Sequence, residues 1–147
     1  MTYNYKFFHQ LLKLSRTVVS DFNTEIIEYN LHHSQWTIIQ FLKKYGPSTL
    51  VDIANYLSVE KSSVTRAVDR LKKSEFIEEV SGKDKRERRI KLSDLGEKAY
   101  VLSYKTVVEF ENNAMKDISK EELETTFQLL LKIMNNINNE HGGIKDA

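Results

Sequence analysis

No cysteine occurs in the 147 residues. That excludes structural disulfides, thiolate zinc sites, cysteine nucleophiles and thiol-based redox sensing together. One proline and five glycines are too few for a fold of many strands and turns, and favour long helices. No apolar run approaches the roughly 18 residues of a membrane span, and Met1 to Phe8 carry no basic segment leading into an apolar one. A cytoplasmic protein without a membrane partner is expected. Gly-rich phosphate loops, G-x-S-x-G, H-E-x-x-H and motif-placed carboxylate pairs are also missing, so neither an enzyme nor a cofactor is expected.

The net charge of +1 conceals an uneven distribution. Glu60 to Lys91 holds eleven basic and seven acidic residues, a net of +4. Leu92 to Ala147 holds six basic and ten acidic residues, a net of −4. Binding to a polyanion depends on where the charge sits, and the centre of this chain is where it is positive.

The apolar residues indicate the elements. Phe8, Leu11, Leu12, Val18, Val19, Phe22, Ile26 and Tyr29 recur at helical steps and predict one long N-terminal helix. Ser34 is placed to cap a second helix, Gln35 to Tyr45, ended by Gly46-Pro47. Thr49 with Asp52 resembles a capping box and opens a short helix to Leu57; after a turn at Ser58, another helix runs from Glu60 to Ser74. The period then changes. Phe76, Ile77 and Val80 form a β-prone run, residues 81–85 have turn composition, and Arg88 to Leu92 read as a returning strand. Ser93 caps a helix carrying Leu95, Ala99, Leu102 and Phe110. Ser119 and Glu122 box the start of a last helix with Leu123, Phe127, Leu130, Met134 and Ile137 on one stripe, and a frayed tail is expected after Glu140. The expected fold is mainly α with a small β-hairpin.

A short helix, a tight turn and a helix with small polar and basic residues on its outer face are the parts of a helix-turn-helix, whose second helix fits the DNA major groove. Lys61, Ser62, Ser63, Thr65, Arg66 and Arg70 are the candidate contacts on that helix. Taken alone, the same residues also describe the solvated face of an ordinary amphipathic helix. The hairpin favours DNA: Lys83, Lys85, Arg86, Arg88 and Arg89 crowd together at a repulsive cost that a phosphate backbone would relieve. A winged-helix module that binds an acidic protein is the competing reading.

The run from Asp84 to Gly96, DKRERRIKLSDLG, resembles the wing signature of the MarR family of winged helix-turn-helix regulators, D-x-R followed by I/V-x-L-[TS]-x-x-G. Ser62 to Leu71, SSVTRAVDRL, is similar to that family's recognition helix and lies at the expected distance upstream. The resemblance implies one MarR-like domain over 1–147, with a DNA-binding lobe at about 34–96 and dimerisation helices at about 3–30 and 97–140. It implies double-stranded DNA and a second copy of the chain as partners, and a role in transcription, most often repression. Arg86 matches the arginine that enters the minor groove, where narrow A·T-rich tracts attract cations. Asp84 matches the aspartate that orients it. Asp69 is placed either to pair with Arg88 or to form an ordinary surface ion pair.

The chain's own residues argue for a dimer as well: the first and last helices each carry more apolar surface than a small central module covers. Family members often bind small aromatic or anionic effectors between the dimerisation helices and the DNA-binding lobe, and here His9, Arg16, Trp36 and Tyr45 are the candidates, although core packing explains Trp36 and surface chemistry Arg16 equally well. Glu28, His32 and His33 suit a solvated helix end better than a metal site, so no metal is expected.

Overall fold

Local capping chemistry sets most element boundaries in the computed structural model, which describes residues 1–80 and 88–145, the last four as backbone only. The chain divides into two units, residues 1–111 and 112–147.

In the first unit, α1 (Tyr3–Ile26) starts where Thr2 Oγ1 accepts the Tyr5 N–H. Only Phe22 and Ile26 of its 24 residues are buried. A single turn, Ile27–Tyr29, ends at Asn30, one of the few side chains that tolerate the left-handed backbone it adopts there (φ 58°). Helix α2 (His33–Tyr45) begins two residues before the expected start, with His32 and not Ser34 at its N-cap. Two amide side chains explain the difference: Gln35 Oε1 accepts the His32 N–H at 2.9 Å, and Asn23 Oδ1, reaching across from α1, accepts the His33 N–H at 2.7 Å. With those donors satisfied, the helix extends past Ser34. Gly46 ends it at φ 76°, donating its N–H to the Leu42 carbonyl.

The sequence pattern does not reveal β1 (Ser48–Thr49), which is too short to show alternation. It pairs with β3 (Arg89–Leu92), which also pairs with β2 (Ile77–Val80), giving an antiparallel sheet in the order β1-β3-β2. The returning strand of the hairpin is therefore central. Between β1 and β2 lie α3 (Leu50–Leu57), capped by Thr49 Oγ1 on the Asp52 N–H, and α4 (Lys61–Lys73), entered through Ser58 in the left-handed region. Their buried residues Ile53, Val64, Val68 and Leu71 join Ile38, Ile39 and Leu42 of α2 and Ile90 of β3 in one core.

Helix α5 (Asp94–Ala114) is anchored to that core at its first turn. Ser93 Oγ accepts the Gly96 N–H at 3.0 Å and donates to the Glu75 carbonyl at 2.6 Å, and the Ser93 N–H donates to Phe76 O. A Cβ at residue 96 would overlap that Phe76 oxygen, so the approach requires glycine. Further along, Ser103 Oγ accepts the Trp36 indole N–H at 3.2 Å, and the Tyr29 and Thr106 hydroxyls meet at 2.6 Å. The inward face of α5 carries Ala99, Ser103 and Val107; Leu95 and Leu102, which fit a helical stripe in the sequence, are exposed.

In the second unit, α6 (Lys120–Lys145) opens with the expected reciprocal box: Ser119 Oγ accepts the Glu122 N–H, and Glu122 Oε2 accepts the Ser119 N–H. The helix continues through Gly142-Gly143 to Lys145, past the expected fraying point. Glycine in a helix interior costs only about 1 kcal/mol per residue, which a long helix tolerates. Leu123, Phe127, Leu130, Met134 and Ile137 are all exposed.

Candidate nucleic-acid interface

Helix α4 has two distinct faces. Val64, Ala67, Val68 and Leu71 are buried, which fixes the helix on α2, α3 and the sheet and turns Lys61, Ser62, Thr65, Arg66, Asp69 and Arg70 to the surface; Ser63 lies at the margin. Local bonds hold the small side chains in place. Thr65 Oγ1 donates to the Lys61 carbonyl at 3.0 Å, Ser62 Oγ lies 3.5 Å from Glu60 Oε2, and Arg66 Nη2 donates to Ser63 Oγ at 3.3 Å. That last bond uses one of the five guanidinium donors.

Grooves flank the exposed face. One, of about 480 Å³, runs between α4 and the sheet, with Val68 and Ile90 in its floor and Lys61, Thr65, Asp69 and Lys72 along the helix side. Glu79 and Arg88 stand opposite. Lys72 Nζ lies 2.9 Å from Glu79 Oε1, and the hydrogen bond and charge of Lys72, with Arg88 adding to them, hold the Glu79 carboxyl below its ordinary range. On the other flank a groove of about 190 Å³ lies between the start of α2 and the α3–α4 turn, lined by His33, Thr37, Ile38, Val59, Ser63 and Ala67. Burial lowers the His33 pKa, and its ring meets Phe22 edge-on at 4.9 Å. Arg70 is grouped with Lys73, Asn30 and His32 around a polar recess at the far end of α4.

Strands β2 and β3 form the stem of the hairpin; Lys83, Asp84, Lys85 and Arg86 lie outside the described residues. Arg88 is exposed at the loop end of the stem, next to the Val80–Arg89 pair. Among the described residues it forms no ion pair with Asp69; the acid beside it is Glu79. Two other central cations are also engaged. Lys91 lies 3.4 Å from Glu78, its partner in the ladder, and Arg89 Nη1 donates to the Pro47 carbonyl. Neither Lys72 nor Glu79 stands out in the sequence as a site residue, because their pairing depends on the turn between α4 and β2, which no local pattern encodes.

The four residues considered for an effector are not brought together. His9 stacks on Tyr5 at 6.1 Å on the outer part of α1, and Arg16 is exposed two turns later. Trp36 is buried with its N–H on Ser103. Tyr45, nine residues along α2 and so roughly 13 Å away on the opposite side of the helix, packs on Phe41 and Tyr56 beneath Lys44.

A helix-turn-helix followed by a hairpin stem, with the second helix exposing hydroxyls and cations between two grooves, defines a winged helix-turn-helix DNA-binding protein. The MarR family model matches residues 31–91. The chain is 31% identical over 116 residues to YwoH, an uncharacterized HTH-type transcriptional regulator of Bacillus subtilis strain 168, covering 79% of this chain and 85% of that one. Its fold is similar to a MarR/EmrR family regulator from Acinetobacter sp. ADP1 (TM-score 0.86, 22% identity, 95% and 99% of the two chains). It is also similar to the Staphylococcus aureus MarR solved in complex with salicylate and kanamycin (TM-score 0.79, 21% identity, 93% of each chain). The chain belongs to the MarR family of DNA-binding transcriptional regulators, a family of regulators and not of enzymes. No helix among the described residues is long and apolar enough to cross a membrane.

Proposed function

We propose that this protein is a homodimeric repressor that reads a pseudo-palindromic operator with α4 in the major groove and Arg86 in the adjacent minor groove. The observation that carries the reading is the exposed face of α4, where Lys61, Ser62, Thr65 and Arg66 project beside a hairpin stem that would extend to the next groove. Ser62, Ser63 and Thr65 suit base edges and phosphates, and Arg66 suits guanine, a contact worth about 1–3 kcal/mol of discrimination. Arg70 at the helix end and Lys83, Lys85 and Arg88 on the wing serve the phosphate backbone, with Asp84 orienting Arg86.

Self-association is supported by the exposed apolar residues of α1 and α6, taken separately: Phe8, Leu12, Leu14 and Val18 on one, Leu123, Phe127, Leu130 and Met134 on the other. A two-fold dimer sets its half-sites about one helical turn, roughly 34 Å, apart. Occupancy of a promoter by such a dimer blocks polymerase directly. Relief by a small aromatic or anionic effector is supported by the salicylate found with the S. aureus relative. Of the residues considered for that role, His9, Arg16 and Tyr45 are exposed and would make first contact, while Trp36 would be reached only by opening the core.

Selection of bound duplexes from a random pool, followed by titration of the recovered and random duplexes at several salt concentrations, tests this reading. The expected results are a palindrome with one-turn spacing, a slope of log K on log salt near −0.9 per phosphate contact, and tighter binding to the recovered sequence. Equally weak binding to every duplex would sink it and favour an interaction module for an acidic partner.

A further inference from the structure

Glu79 and Asp69 are acids in a groove where DNA binding favours cations, and Glu79 is the one that pairs with Lys72. Its ladder partner is Ile90, whose buried side chain points toward the α4 side of the sheet, and strand alternation puts Glu79 on that same face. There it meets Lys72 at 2.9 Å, and Arg88 lines the same groove. Stability gives no sufficient reason for the arrangement, because both ends of the pair are about half exposed, with side-chain exposures of 42% and 51%, and such pairs contribute little. The next residue supplies a comparison: Glu78 lies opposite Lys91 on the outer face of the same ladder, away from the groove, at 3.4 Å.

We propose that Glu79 is a specificity-determining residue, which occupies Lys72 in the groove beside α4 and thereby suppresses sequence-independent binding to DNA. The inference rests on the reading of α4 as the DNA-reading helix. A loosely bound duplex slides until its phosphates find cations, and its affinity comes almost wholly from the cations it neutralises. A duplex whose bases are read by Ser62 to Arg66 is held in one register and gains from contacts that do not involve Lys72. A carboxylate that withholds this cation therefore penalises the loose mode more than the base-read mode, and the ratio between them rises.

The test is titration of the parent, Glu79→Gln, Glu78→Gln and the Lys72→Gln/Glu79→Gln pair against a random duplex and the selected operator duplex across a salt series. Glu79→Gln should release Lys72, tighten binding to the random duplex by about eightfold at ~0.1 M salt and steepen the slope by about 0.9. Binding to the operator duplex should tighten less, lowering the specific-to-random ratio. Adding Lys72→Gln should take back about 0.9 of the slope, and Glu78→Gln should leave both duplexes close to the parent. Equal behaviour of the Glu79→Gln and Glu78→Gln variants would reduce the effect to net charge and overturn the proposal. So would a Glu79→Gln variant indistinguishable from a parent that still prefers the operator; in that case the reading of α4 stands. A parent without sequence preference removes both.

Discussion

Helices α4 and α6 carry the same kind of apolar stripe, and the structure treats them oppositely. Val64, Ala67, Val68 and Leu71 of α4 are 1–4% exposed, whereas Leu123, Phe127, Leu130, Met134 and Ile137 of α6 are 37–52% exposed. Periodicity in a sequence states only that a face must be covered, not by what. For α4 the cover comes from its own chain, and the remaining polar face is left to read DNA. For α6 the described structure supplies no cover, which is why a second copy of the chain is proposed to complete it.

The sharpest way to break this comparison is to truncate one residue on each stripe. Leu71→Ala should cost about 2–5 kcal/mol of unfolding free energy, read as a shift of the urea midpoint, because the surrounding core cannot collapse into the space. Phe127→Ala should change the stability of the dilute protein by no more than about 0.5 kcal/mol. It should weaken self-association about tenfold or more in sedimentation equilibrium, since a two-fold interface loses the ring twice. A large loss of dilute stability from Phe127→Ala, with association unchanged, would show that α6 is covered by its own chain.

Gly96→Ala tests how firmly the completed unit holds α5. The added methyl overlaps the Phe76 carbonyl oxygen, and the displacement should cost about 1–3 kcal/mol in denaturant titration. A neutral result would mean that the Ser93–Glu75 anchor bends without penalty. Arg66→Ala concerns the polar face alone. It should leave the melting temperature near that of the parent while reducing discrimination within the half-site by about 1–3 kcal/mol, measured with single-base operator variants.

The legible parts of this fold are those whose chemistry is local. The Thr49–Asp52 and Ser119–Glu122 caps, the Gly46 stop and the Ser93 start of α5 each involve residues within a few positions of one another, and all were apparent from spacing. What escaped depends on distant partners. The start of α2 is moved by Asn23 on another helix, and β1 exists only because β3 pairs with it. The site divides in the same way. The amphipathic pattern identified the outer face of α4, but a count of cations does not show that Lys72, Lys91 and Arg89 are engaged by Glu79, Glu78 and the Pro47 carbonyl. For Trp36 the sequence left core packing and an effector cleft both open, and the structure buries it with its indole N–H on Ser103.

The smallest expected effect sharpens the comparison through pH. His33 is half-buried in the first unit, edge-on to Phe22, and burial lowers its pKa from the ordinary value of 6.5. The unfolded chain therefore takes up a proton at this position at a higher pH than the folded one, so folding stability is fully present above pH 6.5 and falls as the pH drops toward the folded pKa. Below that value the contribution is lost and the dependence on this group flattens. Urea midpoints measured from about pH 8 to pH 5 should show this decline in the parent, and His33→Gln should remove it while leaving the carboxylate-driven loss at lower pH in place. An identical pH profile for the two proteins would mean that His33 protonates in the folded state without leaving Phe22, and that this edge of the core is as open to water as the stripe on α6.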